Sequence, residues 1–151
     1  MKHSAVLAAA AIGLGLPSLA IGQTVAASPQ PEVPRLADIM AATQLRHLKL
    51  WFAGREKNWT LANYELGQIK ISFLDALRIY PNVPAADMTI MTRPAAVIDK
   101  AIQTKDLAKF TAGFGELTAA CNVCHHSQGM GFIAIKVPTS SPFSNQSFTP
   151  K

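Results

Sequence analysis

Cysteine is nearly absent from this chain: its 151 residues contain two, Cys121 and Cys124. A disulfide-dense scaffold is excluded, and so is a zinc site that draws on a second thiol cluster. Charge is also thin, at 15% Asp, Glu, Lys and Arg. The basic residues form no run and no aromatic ladder accompanies them, which argues against nucleic-acid binding. No Ser-His-Asp arrangement and no paired carboxylates are suggested, so the chain reads as a non-enzyme. After the first residues, no segment approaches the about 20 consecutive apolar residues of a bilayer span. No internal repeat is visible.

What is present is concentrated. The two cysteines belong to one motif, Cys121-Asn122-Val123-Cys124-His125. C-x-x-C-H is the attachment signature of a c-type haem. Two sulfurs one helical turn apart can add across the two vinyl groups of the porphyrin and tether it by thioethers. The next imidazole then falls under the iron as proximal ligand. Three other readings compete. A thioredoxin-like pair requires a βαβ context with the motif opening a helix, whereas here it lies late in a helical segment. A zinc site could be counted from Cys121, Cys124, His125 and His126, but six crowded residues close a tetrahedral shell poorly. A Cys121–Cys124 disulfide would close too small a loop to stabilise much.

Met1-Lys2-His3, an apolar run from Ala5 to Leu16, Pro17 and small residues have the layout of a secretory signal peptide. The preferred cut follows Ala20-Ile21-Gly22, which makes residues 1–22 the signal; Ser18-Leu19-Ala20 and Val25-Ala26-Ala27 are rival sites. Covalent haem attachment in bacteria takes place outside the cytoplasm, so signal and motif support each other and imply a periplasmic product. Loss of Lys2 leaves 13 of the 14 basic residues against 9 acids, a mildly cationic chain suited to acidic-faced redox partners. Residues 23–34, with Pro29, Pro31 and Pro34, read as a flexible lead-in.

The rest reads as helix. Ala41, Leu45, Leu48 and Phe52 recur at helical spacing within a segment from Arg35 to about Lys57, and Met40, Gln44, His47 and Trp51 form a second stripe. Asn58 caps the next segment, whose apolar face runs through Ala62, Leu66, Ile69, Phe73, Leu77 and Tyr80. A Pro-punctuated connection from Pro81 to Pro94 carries Met88 and Met91. A shorter helix starts at Pro94 and ends near Gln103. The last runs from Lys105 to Gln128 and is terminated by Gly129 and Gly131. The expected fold is all-α, an antiparallel four-helix bundle over residues 35–131 with haem attached near the end of the last helix. Residues 132–151 are expected to form an extended C-terminal tail anchored by Phe143 and Phe148.

A haem attached at the end of the last helix of such a bundle resembles the class II c-type cytochromes, the cytochrome c-prime and cytochrome c-556 group. Small class I cytochromes instead carry the motif near the N-terminus and take a distant downstream Met. In the antiparallel arrangement the start of the first helix lies beside the end of the last. Met40 therefore stands level with His125 and is the first candidate for the distal iron ligand, as the resemblance to six-coordinate members of the class also implies. His47, seven residues deeper on the same face, is the alternative ligand or else a hydrogen-bonded core histidine. A five-coordinate iron is the third arrangement. Met88 and Met91 rank low, and His126 is expected at the surface. Phe110 and Phe114 share a face with Cys121 and His125, and with Trp51 they are candidates for the haem pocket wall. Arg46 and Lys49 are candidates for meeting the propionates. Asn58-Trp59-Thr60 and Asn145-Gln146-Ser147 match glycosylation sequons and read as chance.

The expected function is an exported monohaem electron carrier with one covalent haem c. The alternatives are a five-coordinate haem protein that binds nitric oxide or carbon monoxide, and a haem subunit or assembly factor of a larger redox complex. The resemblance also allows a homodimer.

Overall fold

A computed structural model describes residues 32–150; the expected signal peptide and most of the lead-in lie outside the described residues. Those residues form helices and irregular segments without a strand: α1 (Leu36–Arg55), α2 (Trp59–Ile79), the short α3 (Ala85–Thr89), α4 (Thr92–Gln103) and α5 (Leu107–Ser127). The four long helices pack as a helical bundle. α1 lies on α2, α2 on α4, α4 on α5, and α5 closes the ring against α1. No described helix is long and apolar enough to cross a membrane.

The short links explain why chain neighbours pack antiparallel, and one backbone device builds both. After α1, Lys57 takes φ 58° and donates to Gly54 O, while Asn58 N–H donates to Ala53 O at 2.8 Å. After α4, Lys105 takes φ 54°, with the corresponding bonds to Ile102 O and, at 2.8 Å, Ala101 O. This pair of bonds closes a helix by reversing the chain in the left-handed region, normally on glycine. The residue after each lysine caps the next helix: Asn58 accepts from Leu61 N–H and Asp106 from Lys109 N–H. α5 ends by the same device on Gly129, φ 70°.

The expected boundaries hold with two corrections. α4 starts at Thr92, so Pro94 sits inside its first turn rather than at its start, where it still removes no intrahelical bond. The Pro81–Pro94 connection contains α3, which is too short for any periodicity to show in sequence.

The inner face of α1 is also not the Ala41-Leu45 stripe. Ala41 is exposed and Leu45 is 45% exposed, while Thr43, His47, Leu50 and Gly54 are buried. Polar Thr43 returns its hydroxyl proton to Ile39 O at 2.8 Å and so tolerates burial. Gly54 is there for close approach, since a Cβ at this position would stand 2.1 Å from Phe110 Cζ and 2.2 Å from its Cε1. Phe110 is fully buried and cannot swing away. Gly54→Ala should therefore cost about 3 kcal/mol of stability through forced separation of α1 and α5, read as a lower denaturant midpoint. An unchanged midpoint would show that the crossing can relax.

The core joins Leu50, Leu66, Ile69, Ile98, Phe110, Phe114 and Leu117 from all four long helices. Residues 128–150 carry no regular structure, yet Phe148 is buried in this core, against Phe52 at 5.7 Å and Phe143 at 5.5 Å between ring centroids.

Candidate functional site

At the end of the bundle where α1 begins and α5 finishes, a cavity of about 420 Å³ opens between them. This lies within the range of cofactor pockets, about 300–1,000 Å³. The α5 wall carries Cys121, Cys124 and His125. Helical geometry brings these positions, three and four apart, to one face. The α1 wall carries Met40, Gln44 and His47. Cys121, Cys124, His125, Met40 and His47, the candidate tethers and ligands read from sequence, thus meet in one place, and most of the remaining lining is aliphatic or thioether, with Thr43, Gln44, Gln128 and Phe73 among it.

Both thiols are held in their protonated form. Burial pushes the Cys121 thiol up to about 11, with Cys124 beside it adding to the shift. Burial, and then the Asp87 carboxylate, raise Cys124 as well. The motif also ends its helix, where the negative end of the dipole opposes a thiolate. Redox dithiols work by the opposite arrangement, with thiol pKa values lowered at helix N-termini. A zinc set is equally unsupported: among the described residues no three His, Cys, Asp or Glu side chains converge to hold a metal ion.

His125 is half-buried and aims Nδ1 at the Ile133 carbonyl oxygen, 2.7 Å away. His47 is 4% exposed, and its Nε2 lies 2.9 Å from Thr118 Oγ1. The Thr118 hydroxyl donates its one proton to Phe114 O at 2.8 Å, so the imidazole must be the donor to Thr118 and Nδ1 carries the lone pair. Burial lowers the His47 pKa to about 4, which keeps it neutral across the physiological range.

That depression has a consequence for folding. The unfolded chain takes up a proton on this histidine below its ordinary value, 6.5, while the folded chain resists down to about 4. Stability is full above the ordinary value and is lost as pH falls through this window, by about 3 kcal/mol in all. Urea titrations of the haem-free chain should show this loss, and it should disappear in His47→Gln. A pH profile identical in the two proteins would show that His47 protonates without penalty.

Phe110, Phe114 and Trp51 do not wall the cavity, contrary to expectation; they stack below it. Phe114 lies 4.3 Å from the His47 ring, 4.8 Å from Trp51 and 6.1 Å from Phe110, centroid to centroid. Eleven residues preserve a helix face but carry a side chain about 16 Å along the axis, so the ring shares the side of His125 and not its level. Arg46 and Lys49 are also engaged elsewhere. Arg46 pairs with Glu65 at 3.2 Å, and Lys49 stands 5.3 Å over the Phe143 ring. His126 is exposed, as expected.

Met88 and Met91, on and just after α3 and ranked low as ligands from sequence, are buried and line the cavity; Met130, 47% exposed, lines it too. α3 is pinned there because Asp87 accepts from Ser127 Oγ, 2.9 Å, and from the Gln128 side chain at the end of α5. Ile133 and Ile135 complete the lining. Proline spacing marked the 81–94 segment as a connection and gave no sign that it folds back over the motif.

No family model matches this chain, and no similar curated protein or solved structure was found for it.

Proposed function

We propose that this chain is an exported c-type cytochrome of the class II kind, with one covalent haem c, that transfers electrons. The observation that carries the reading is the convergence of Cys121, Cys124 and His125 with Met40 on one apolar cavity at the end of the bundle. When bound, the haem supplies an iron that exchanges one electron between ferrous and ferric states. Cys121 and Cys124 would tether the ring, and His125 would bind the iron from α5. Met40, one turn into α1, would bind from the other side, and His47 stands deeper as the alternative. His47 stands two turns further along α1 than Met40, about 10 Å by helical rise, which favours Met40. Walls that are mostly aliphatic or thioether would disfavour the more highly charged ferric centre and so raise the potential.

The periplasm is the expected compartment and an acidic-faced redox protein the expected partner, with a homodimer compatible with the class. The aliphatic lining would equally shelter a diatomic gas if Met40 were not bound, which keeps nitric oxide or carbon monoxide binding as the second reading. Absorption spectra of protein produced with haem-attachment machinery test all of this. Covalent, low-spin haem in both oxidation states supports the electron carrier. A high-spin ferrous form that binds carbon monoxide supports the gas-binding reading. Absence of covalent haem overturns both.

A further inference from the structure

The segment after α5 is engaged with the motif more closely than a tail needs to be. Gly129 reverses the chain, and Met130 N–H donates to His125 O at 2.7 Å. Ile133 N–H donates to Met130 O at 2.8 Å, which turns the Ile133 carbonyl back onto His125 Nδ1. Two residues on, Asn122 grips the backbone of Ile135 at both poles. Its Nδ2 donates to Ile135 O at 2.8 Å, and its Oδ1 accepts from Ile135 N–H at 2.7 Å. A carboxamide meeting one residue's N–H and C=O reproduces a β-ladder pairing with a side chain. Gly131 presses against the His126 ring, where a Cβ would come within 2.5 Å of Nδ1.

We infer that residues 129–137 are a positioning strap for His125, locked by Asn122, in which the Ile133 carbonyl fixes the tautomer and aim of the imidazole. A carbonyl can only accept, so Nδ1 must carry the proton in the neutral ring and Nε2 is left with its lone pair. Nε2 is the nitrogen a metal would take, and an Nδ1–H bonded to a carbonyl raises its basicity. The inference rests on the reading of His125 as an iron ligand, but the strap itself is a property of the chain without haem. Ile133, through its carbonyl, and Asn122 act through His125 and are positioning residues.

Long-range ¹H–¹⁵N correlation spectra of the ¹⁵N-labelled, haem-free full chain report the His125 tautomer directly. The expected result is a single Nδ1–H form at neutral pH. Asn122→Ala should release the strap and give a mixture with the Nε2–H form, with helix content unchanged by circular dichroism. Asn122→Asp keeps the acceptor for Ile135 N–H and should fall between the two. A mixture in the unmodified chain, or a single Nδ1–H form surviving in Asn122→Ala, overturns the proposal. In haem-loaded protein, Asn122→Ala should keep covalent attachment and shift the midpoint potential upward, because a less basic imidazole stabilises ferric iron less. Attachment with no shift overturns the ligand-tuning role. A locked tautomer in a chain that never takes haem would overturn the proposed function and leave the strap standing.

Discussion

If the chain carries haem c as proposed, Met40→Ala should convert the haem-loaded protein from low-spin to high-spin and open it to carbon monoxide. Alanine removes the thioether and leaves the aliphatic cavity around it intact. His47, the other α1 candidate, is two turns deeper, about 10 Å by helical rise. Loss of an axial thioether would also lower the midpoint potential, because thioether ligation favours the ferrous state. Spectra with and without carbon monoxide and a redox titration measure both effects. The expected change is complete rather than partial: the low-spin form should be absent at every pH where the fold holds. A low-spin spectrum retained by Met40→Ala would move the ligand to His47, or to Met88 or Met91, which share the cavity.

Arg46→Leu should be among the most damaging single changes to the fold outside the site. Glu65 is 1% exposed, on the inner face of α2, and Arg46 Nη1 at 3.2 Å is its one charged partner among the described residues. The arginine also lies over the Tyr64 ring, 5.6 Å from its centroid, which holds the guanidinium in place. Arg46 is 31% exposed, but removing it strands the buried Glu65 carboxylate, at about 3 kcal/mol, the low end for a buried pair. A domain of this size holds about 5–15 kcal/mol in all, so the variant should lose a large share of its stability. Arg46→Leu with Glu65→Leu should recover most of the loss, because leucines of similar volume carry no charge to desolvate. Denaturant titration of the four proteins of that cycle gives the coupling. A single-variant loss near that of an exposed ion pair would show that water reaches Glu65.

The residues that line the cavity are largely legible in the sequence, and their surroundings are not. Cys121, Cys124 and His125 were legible because their chemistry depends on spacing within one helical turn. Met40 was legible because antiparallel connection of short-linked helices puts the start of α1 level with the end of α5. Phe110, Phe114 and Trp51 show where periodicity stops helping, since it reports the side of a helix and not the depth at which a cofactor sits. Leu45, on the apolar stripe of α1, is exposed for a related reason. Thr43, His47 and Gly54 are among the buried positions of that helix, because a close helix crossing selects small residues and a buried network satisfies polar ones.

Residue type and local spacing alone determined the helical class, the position of every long helix to within a turn, and the meeting of thiols and imidazole on one face. These depend on propensity, capping and the rise of a single helix, all local quantities. Tertiary structure decided the rest. It folded α3 over the cavity through Asp87, buried Glu65 against Arg46, and brought the Ile133 carbonyl to His125 by way of Asn122. Each of these joins residues through irregular chain or across two helices. Such pairings follow from how the helices pack, and no sequence period records them.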